Sequence, residues 1–498
     1  MQDTFEENIN LELKKAQNDL PKSFWDTYSS FLNTKGGVVL LGISEEKDGI
    51  KITGVQNSEK ILSDLYTQSN DESYTNYNGI IDENVKVIDE DGKRIISIYI
   101  PEADKSAKPV YIKGNIKNSF IRRNESDQRM KEHEIRRYLR DANPIGDSQL
   151  LDNFGIEDLD LPTIRKFKDF LQERENEIDL FSIDDWEFLK KCGAVGKDEN
   201  DGNFKIKKGA LLFFGKEVSI TSVYPHFHID YRNRTEETLD NRWVDRVSSG
   251  EINTKEMNLF NFYNVVLDKM VNTVLEGFSL DSHTHRRESV KRGVEIAIRE
   301  ALANSLIHAD YEDDISVKIE VFNNHYIFTN PGEMLITTEE FARGGESRVR
   351  NTTIVTLFRR AGFSERAGSG GMRIFQVAHQ NKFRTPEINS VGGRTEVVIW
   401  KADLIDSYPN LDEREKQILI FIEKNGRVKM TEINQLEGMT EYYAKKFVSS
   451  LIEKEILVKF GTGRSTKYGF ETGSSQMIAS IENDLRKIQD ILVKKQTM

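Results

Sequence analysis

A carboxylate, an amide and an imidazole recur at four-residue spacing near residue 300. Glu300, Asn304 and His308 share one face of a segment whose apolar residues recur with the same period on another face, so the sequence predicts an amphipathic helix. An amide oxygen and a carboxylate oxygen suit Mg2+ when phosphates supply most of its other ligands. Glu300 is also placed to act as a general base on a water near a terminal phosphate. A solvated helix face with no chemistry explains the three residues equally well.

Two glycine-containing turns follow this helix and favour a phosphate site. Asn330-Pro331-Gly332 ends a strand-like run, and Gly368-Ser369-Gly370-Gly371 opens a helix-like run over 372–379. Glycines ahead of a helix let backbone amides approach a phosphate, and the helix N-terminus adds partial positive charge. The sequence has no G-x-x-x-x-G-K-[ST] run, so a P-loop is not the nucleotide site.

With these motifs the chain resembles the ATP-binding fold shared by gyrase-type (GHKL) ATPases, Hsp90, histidine kinases and mismatch-repair ATPases. It is most similar to the divergent branch related to the RecG C-terminal family. That branch has R-E-A-x-x-N-x-x-x-H-x-D-Y, N-P-G, R-N and G-S-G in this order, and the chain has them at 299–311, 330–332, 350–351 and 368–370.

This resemblance implies ATP and Mg2+ as cofactors, with Glu300 catalytic and Asn304 the metal ligand. The cofactor-binding residues that it implies are Asn304, His308, Asp310, Asn330, Gly332, Arg350, Asn351, Gly368, Ser369 and Gly370. Residues 341–348 carry glycines and charges between the two nucleotide motifs. They fit either a lid over bound nucleotide or a plain exposed loop.

Composition limits the classes of function. A chain of 498 residues has room for about three domains. Its net charge of -12 provides no global basic field, so nucleic-acid binding has to rest on local patches. Cys192 is the one cysteine, which excludes an intrachain disulfide. The sequence has neither a signal peptide nor an apolar run of 18 residues, so we expect a cytoplasmic protein with no membrane partner.

The first 141 residues resemble the Schlafen AlbA_2 domain, an α/β nucleic-acid-binding domain. The motifs that carry the resemblance are Glu12-Leu13-Lys14, Phe31-Leu32-Asn33 with Gly36-Gly37, Leu41-Gly42-Ile43, Gly54-Val55, Lys108-Pro109-Val110-Tyr111 and Phe120-Ile121-Arg122-Arg123. A buried strand is predicted over 38–43, after a helix that ends at Leu32.

Some Schlafen proteins cut RNA with three carboxylates, two of them five residues apart and the third after a glycine-rich strand. Glu7, Glu12 and Glu45 match that pattern, with Glu where Asp is usual. The resemblance implies metal-dependent cleavage with Glu7 and Glu12 as metal ligands. Five-residue spacing places these two on different faces of a helix or strand, so the chain must break between them. The alternative is that Glu7 belongs to a solvated acidic N-terminus.

A basic stretch in the same domain favours nucleic acid as a partner. Residues 102–140 hold eleven Lys or Arg against six Asp or Glu, with aromatic residues interleaved. Cations for phosphates and aromatics for bases suit single strands. The candidate contacts are Lys113, Arg122 and Arg123. A solvated helix face over 129–140 is the alternative.

The C-terminal region resembles a winged helix-turn-helix. Helices are predicted over 411–423, 431–436 and 441–454, and two strands flank a basic loop at 461–467. In that fold the third helix enters the major groove. The candidate DNA contacts are Tyr442, Lys445 and Lys446 on that helix and Arg464 and Lys467 on the wing. Winged helices also bind proteins, which leaves that alternative open.

These regions together predict a multidomain α/β protein with an AlbA_2-like domain, a GHKL-type sandwich and a winged helix. The boundaries are 1–141 for the AlbA_2-like domain, 142–285 for a linking region with a strand at 210–214, 286–402 for the ATP-binding domain, 410–472 for the winged helix and 474–498 for a C-terminal helix suited to oligomerisation. We expect an ATP-dependent protein that binds DNA or RNA. The more specific expectation is a Schlafen-like nuclease that is gated by ATP and acts in stress or phage defence. The alternative is an ATP-binding transcriptional regulator.

Overall fold

The computed structural model divides into two compact units, Met1–Gly146 and Asp147–Met498. The residues that it describes are 10–470, except 47–48, 91, 124–125, 144, 175–178, 236–242, 252–254, 275–277, 281–286, 346–347, 365–367, 382, 403–407, 409–410, 426, 455 and 461–465. Among these residues, no helix has both the length and the apolar composition that a membrane crossing requires.

The first unit is built on a mixed four-stranded sheet. The strands of the whole unit are β1 (Leu11–Lys14), β2 (Gly37–Leu41), β3 (Ile43–Glu46), β4 (Gly49–Ile52), β5 (Val85–Glu90), β6 (Lys93–Ile100), β7 (Phe120–Arg123) and β8 (Ser126–Arg129). The helices of the unit are α1 (Phe24–Asn33), α2 (Ser58–Ser69) and α3 (Glu132–Ala142). The sheet order is β1-β2-β6-β5, in which β1 pairs with β2 in parallel and the other pairs are antiparallel. The pairs β3–β4 and β7–β8 form separate antiparallel hairpins.

Helix α1 supplies much of the core of this unit. Phe24, Tyr28 and Phe31 are fully buried in the same apolar cluster as the strands β2 and β6. Asn33, at the end of the helix, donates to the carbonyls of Val110 at 2.7 Å and Phe120 at 3.0 Å. Because its amide is satisfied inside the core, Asn33 fixes α1 against the start of β7.

The strand predicted over 38–43 is interrupted. Gly42 has a φ of +94°, and a Cβ there would lie 3.1 Å from the carbonyl oxygen of Arg94. The chain therefore leaves the sheet at this glycine and begins β3, which pairs with β4 instead.

The second unit holds the remaining elements. Its helices are α4 (Leu161–Gln172), α5 (Asp185–Cys192), α6 (Lys208–Phe214), α7 (Glu217–Val223), α8 (Leu259–Val271), α9 (Val290–Ile307), α10 (Thr338–Arg343), α11 (Thr352–Ala361), α12 (Gly370–Gln380), α13 (Glu413–Asn425), α14 (Met430–Ile433) and α15 (Glu441–Glu453). Its strands are β9 (Val195–Lys197), β10 (Phe204–Ile206), β11 (Ile229–Asn233), β12 (Asp245–Ser248), β13 (Phe278–Leu280), β14 (Arg287–Ser289), β15 (Val317–Val321), β16 (His325–Pro331), β17 (Glu387–Val391), β18 (Arg394–Trp400), β19 (Val428–Lys429), β20 (Leu457–Phe460) and β21 (Lys467–Phe470).

A six-stranded sheet of order β12-β11-β15-β16-β18-β17 forms the main layer of this unit. Strands β11 and β15 are parallel, and the other neighbours are antiparallel. Helices α9 and α12 pack against each other, and α9 also contacts β15, β16 and β18. Helix and sheet layers therefore meet along α9, the helix that was predicted to carry the chemistry.

Residues of the predicted linking region, 142–285, lie in the same apolar core as α9. Phe167 on α4, Phe213 on α6 and Phe260 on α8 are fully buried with Phe358 of α11 in one cluster. The rings of Phe213 and Phe358 meet edge to face with centroids 5.4 Å apart, and those of Phe167 and Phe260 meet edge to face at 5.8 Å. The region thus belongs to the core that supports the ATP-binding motifs.

The strand predicted over 210–214 is wrong, because this run is part of helix α6. All five residues from Ala210 to Phe214 are buried at 1% exposure or less. A short run that is apolar on every side carries no period, so sequence cannot separate a buried strand from a buried helix there.

The C-terminal part of the unit has its own apolar core. Residues of α13, α14, α15 and β20 form a cluster around Ile418, Leu419 and Leu451. The three strands form an antiparallel sheet in the order β19-β21-β20. The predicted helix over 431–436 is shorter here and ends at Ile433.

Candidate functional site

Helix α9 brings the three predicted residues to one side of the second unit. Its apolar stripe, which includes Ile298, Leu302 and Leu306, is fully buried. Glu300 is 8% exposed, and Asn304 and His308 are half-buried. The stripe orients the helix, so the carboxylate, amide and imidazole are held at successive turns.

The start of α12 lies directly on two of these residues. A Cβ at Gly370 would be 2.7 Å from Glu300 Oε2 and 3.3 Å from Asn304 Nδ2. A Cβ at Gly371 would be 2.2 Å from the carbonyl oxygen of Phe341. A side chain at residue 371 would clash with backbone, and one at residue 370 would displace the Glu300 carboxylate. The glycine turn and the α9 residues therefore form one site although they are far apart in sequence.

A cavity of about 100 Å³ opens at this junction. Six of the predicted cofactor-binding residues line it, namely Asn304, His308, Asn330, Arg350, Gly368 and Gly370. Its apolar wall contains Met334, Leu335, Ile336 and Phe341. A polar end with glycine turns and an apolar wall suit the phosphates and the base of a nucleotide.

His308 is neutral at pH 7. Burial, and then the nearby charge of Arg350, lower the pKa of its imidazole to about 4. The Arg350 guanidinium donates to the backbone carbonyl of His308 and, at 2.9 Å, to that of Glu333. His308 can therefore offer a neutral donor and acceptor to a ligand, but no positive charge.

Asn351 braces the end of α9. Its buried amide donates to the carbonyls of Ile307 at 2.8 Å and Ala309 at 2.7 Å, so both of its hydrogens are used. Three other predicted cofactor contacts, Asp310, Gly332 and Ser369, join Asn351 outside the set of residues that line the cavity. The side chain of Asn351 thus holds the end of α9, and its predicted contact with a nucleotide stays a prediction.

Asp310 and Gly332 also hold the framework. The amide of Asp310 donates to the carbonyl of Pro331 at 2.9 Å, and the buried carboxylate of Asp310 accepts from the amide of Glu312 at 3.2 Å. Gly332 lies against the guanidinium of Arg350. These contacts tie the end of α9 to the end of β16.

The proposed lid segment approaches the glycine turn. The amide of Gly345 donates to the carbonyl of Gly368 at 3.0 Å, and Phe341 and Arg348 line the cavity. Residues 346–347 lie outside the described part of the chain. The segment thus contributes to the apolar wall of the cavity and contacts the glycine turn at its polar end.

In the first unit, Glu12 is engaged by cations. Its Oε1 lies 2.8 Å from Lys14 Nζ, and its Oε2 lies 2.8 Å from Arg122 Nη2. Glu7 lies outside the described residues, and only the backbone of Glu45 is described, in β3. No group of three His, Cys, Asp or Glu residues is arranged to hold a metal ion within the described ranges.

Arg122, which was predicted as a phosphate contact, is an internal ion-pair partner in the structure. Its side chain is 1% exposed and lies between Glu12 and Asp127, with Nη1 2.9 Å from Asp127 Oδ1. The guanidinium also stacks over the ring of Phe31 at 5.3 Å. Sequence reasoning missed Asp127, since neither its spacing nor its neighbours marked it as a partner.

A second carboxylate that the sequence did not mark lies near this cluster. Burial raises the pKa of Asp26, and the charge of Asp127 adds to the rise while Lys113, Lys14 and Arg129 oppose it. Lys113 is exposed, and Arg123 is 42% exposed with its guanidinium paired to Glu134. Of the three predicted contacts, those exposed to solvent are therefore Lys113 and, in part, Arg123.

On the C-terminal part, the predicted contact residues of α15 face solvent. Tyr442 is 70% exposed, and Lys445 and Lys446 are exposed. Lys445 pairs with Glu441 at 2.7 Å. Lys467 is exposed on β21, and Arg464 lies outside the described residues.

Three family models match parts of the chain. Residues 7–131 match "Schlafen, AlbA_2", residues 314–399 match "Putative ATP-dependent DNA helicase recG C-terminal", and residues 136–230 match a domain of unknown function, DUF8451. The second match begins after α9, so Glu300 and Asn304 lie outside it. No curated protein matches the chain.

Four chains among the solved structures match this chain, among them the following two. The crystal structure of the DIP2311 protein from Corynebacterium diphtheriae is 15% identical with a TM-score of 0.38, covering 93% of this chain and 94% of that one. The solution structure of the N-terminal domain of a RecG-related protein from Nitrosomonas europaea is 29% identical with a TM-score of 0.20, covering 26% of this chain and 88% of that one. The family matches, in agreement with the motifs, show that the chain carries a Schlafen AlbA_2 domain in its first unit and a RecG C-terminal ATPase-like domain in its second.

Proposed function

We propose that this protein binds and hydrolyses ATP at the site between α9 and α12, and that nucleotide state controls its binding of nucleic acid. The observation that carries the proposal is the approach of Gly370 to both Glu300 and Asn304. It places a glycine-opened helix N-terminus and the amide of Asn304 on the cavity, with the carboxylate of Glu300 directly beside it, as binding and hydrolysis of nucleotide phosphates require.

Asn304 and Glu300 have separate roles in this proposal. Asn304 supplies a neutral oxygen to Mg2+, and Glu300 takes a proton from the attacking water. When bound, Mg2+ would supply positive charge that stabilises the transferring phosphoryl group. Neutral His308 and the backbone amides of the glycine turn orient the phosphates.

The cavity has to widen for a whole nucleotide. Its volume of about 100 Å³ is below the roughly 300 Å³ at which small-molecule pockets begin. The segment with Phe341 and Arg348 forms one wall and is bonded to the glycine turn through Gly345. Movement of this segment on nucleotide binding makes it the proposed lid.

Calorimetric titration with ATP and Mg2+ tests the site. We expect Asn304→Ala to weaken ATP binding by at least about tenfold, equal to about 1.4 kcal/mol. Glu300→Gln should keep binding and lose hydrolysis. Asn264→Ala is the matched control, because Asn264 is a half-buried helical asparagine of α8 outside the cavity. Unchanged ATP affinity in Asn304→Ala would refute the assignment.

Nucleic acid is the second partner in the proposal, and the AlbA_2 match with exposed Lys113 and Arg123 supports it. The finer proposal is an ATP-gated nuclease acting in stress or phage defence. For Glu12 to hold a metal it would have to leave Arg122 and Lys14. Labelled tRNA, single-stranded RNA and DNA incubated with Mg2+ and ATP test cleavage directly. Products that are identical in parent and Glu12→Gln would exclude Glu12 as a catalytic residue.

A transcriptional regulator is the alternative, favoured by the C-terminal part. Its three helices and β19-β21-β20 sheet, with Tyr442 and two lysines exposed on α15, support the proposal of a DNA-binding winged helix. Changing Lys445 and Lys446 to Ala should reduce the salt slope of duplex binding by about one for each lysine that pairs with a phosphate. Changing Lys113 and Arg123 to Ala should reduce the salt slope of single-strand binding in the same way. The pair of variants that weakens binding identifies the module in use.

Oligomerisation and the coupling of the two ligands can be measured on the parent protein. The homo-oligomer expected from the sequence is tested by sedimentation at several protein concentrations. ATP control implies reciprocity, so saturating nucleic acid must change the affinity for a nonhydrolysable ATP analogue by the same factor that the analogue changes nucleic-acid affinity. Identical dissociation constants with and without nucleic acid would refute the control.

A further inference from the structure

A second cavity, of about 550 Å³, lies between α9 and α12. The first cavity, of about 100 Å³, is called the nucleotide cavity, and it is lined by residues of 301–305 on α9 and by His308, which follows the helix. The second cavity is lined by residues of 292–300 on α9 and 373–380 on α12. Glu300 lines the second cavity, and its Oε2 is close to Gly370, which lines the first. The carboxylate of Glu300, the proposed base, therefore lies between the two cavities.

The lining of the second cavity is rich in arginine. Its polar lining consists of three guanidinium groups, two amides and two carboxylates, from Arg292, Arg299, Arg373, Gln376, Gln380, Glu295 and Glu300. Guanidinium groups match phosphate oxygens with paired hydrogen bonds, and the volume lies within the range of small-molecule sites. We call this space the arginine cavity.

One of these arginines also contacts the proposed base. Arg373 Nη1 lies 3.4 Å from Glu300 Oε1, and the two side chains are 33% and 10% exposed. An arginine beside a carboxylate stabilises the charged form and so weakens its ability to accept a proton. At this separation the pair is loose, so a ligand that offers stronger acceptors can draw Arg373 away.

We propose that the arginine cavity binds a phosphate group and that its occupation draws Arg373 away from Glu300. The ligand is either free inorganic phosphate or the phosphate of a small phosphorylated metabolite. Occupation increases the ability of Glu300 to activate water, which couples the second ligand to hydrolysis. This regulatory step rests on the proposed role of Glu300, whereas phosphate binding does not.

Binding is tested by calorimetry in the Asn304→Ala background, where the nucleotide cavity is disabled. Inorganic phosphate and AMP are titrated separately at constant ionic strength. We expect binding with a dissociation constant below about 10 mM, weakened at least fivefold by Arg373→Gln and by Arg292→Gln. Arg373→Lys keeps the charge but loses the geometry for paired hydrogen bonds, so its dissociation constant should lie between those of the parent and of Arg373→Gln. Arg165→Gln is the matched control, because Arg165 is an exposed helical arginine of α4.

The outcomes separate the possibilities. Tighter binding of AMP identifies a phosphorylated metabolite, and equal or weaker binding of AMP identifies free phosphate. No detectable binding, or binding that the Arg373 and Arg292 variants leave unchanged, overturns the proposal. Far-ultraviolet circular dichroism and thermal unfolding confirm that each variant is folded.

Hydrolysis provides the regulatory readout. Arg373→Gln should move the acid limb of the rate profile to higher pH, because Glu300 loses a neighbouring cation. An unmoved limb would refute the coupling to Glu300. If the parent protein does not hydrolyse ATP, the proposed function fails while the phosphate titration still decides the arginine cavity.

Discussion

Arg350 lies against Gly332, at the foot of the nucleotide cavity. A Cβ at Gly332 would be 2.6 Å from Arg350 Nη1, and the φ of Gly332 is +90°. The same guanidinium donates to the backbone carbonyls of His308 and Glu333. The N-P-G and R-N motifs therefore pack against each other at the end of α9, and the lack of a side chain at Gly332 leaves room for the arginine.

Gly332→Ala should displace Arg350 and loosen the end of α9. Gly392→Ala is the matched control, because Gly392 has a φ of +68° with nothing within 4 Å of the added Cβ. Both variants bear the backbone cost of about 1 kcal/mol, and Gly332→Ala should lose about 1–3 kcal/mol more from the clash. Thermal and urea unfolding measure the difference. Equal losses would show that the arginine moves aside freely.

The sequence was sufficient to predict the helix face and its glycine partner. Spacing of four residues places Glu300 and Asn304 on one side of any helix, and the ordered motifs indicated that the turn at Gly370 completes the site. The outcome for Asn351 could not be predicted, because an amide next to a nucleotide motif can face the ligand or the carbonyls of a helix end. That choice is made by tertiary packing, which the local sequence does not record.

The ion pairs of Arg122 could not be predicted for a related reason. A basic stretch shows how many cations are present, but a strand alternates its faces, and β7 turns Arg122 inward towards Glu12 and Asp127. Asp127 lies opposite Arg122 in the β7–β8 hairpin. This register depends on the pairing of the two strands, so counting charges could not reveal the buried ion pairs.

Asn351→Ala should destabilise the second unit by about 2–4 kcal/mol, because the carbonyls of Ile307 and Ala309 would lose a buried donor. Asn264→Ala removes one hydrogen bond from a half-buried asparagine and should cost under about 1 kcal/mol. ATP affinity at a temperature where the variant is folded should fall less than in Asn304→Ala. Abolished ATP binding with unchanged stability would instead identify Asn351 as a nucleotide contact.

His308 should make stability depend on pH between about 6.5 and 4. Its folded pKa of about 4 lies below the ordinary value of 6.5, so the unfolded chain binds more protons in this window. Stability due to neutral His308 is present above pH 6.5 and decreases as pH falls towards 4. His308→Gln should reduce the decrease in unfolding free energy between pH 7 and pH 5 by about 1–2 kcal/mol.

The exposed His226 provides the control for this titration. His226→Gln should leave the difference in unfolding free energy between pH 7 and pH 5 as in the parent. Urea unfolding at the two pH values gives the measurement. A parental pH dependence in His308→Gln would mean that its imidazole is not held neutral by burial.

Arg122→Ala should destabilise the first unit strongly without changing the salt dependence of nucleic-acid binding in the way a phosphate contact would. The substitution leaves Glu12 and Asp127, each 13% exposed, without their shared cation, and breaking such a buried pair costs about 3–5 kcal/mol. Arg136→Ala is the control, because Arg136 is exposed on α3 and its loss should change stability by about 0.5 kcal/mol or less. Under conditions where Arg122→Ala is folded, the slope of log affinity against log salt should match the parent, whereas Arg123→Ala should reduce it by about one. A slope reduced by one in Arg122→Ala, with little loss of stability, would return Arg122 to the phosphate-binding surface.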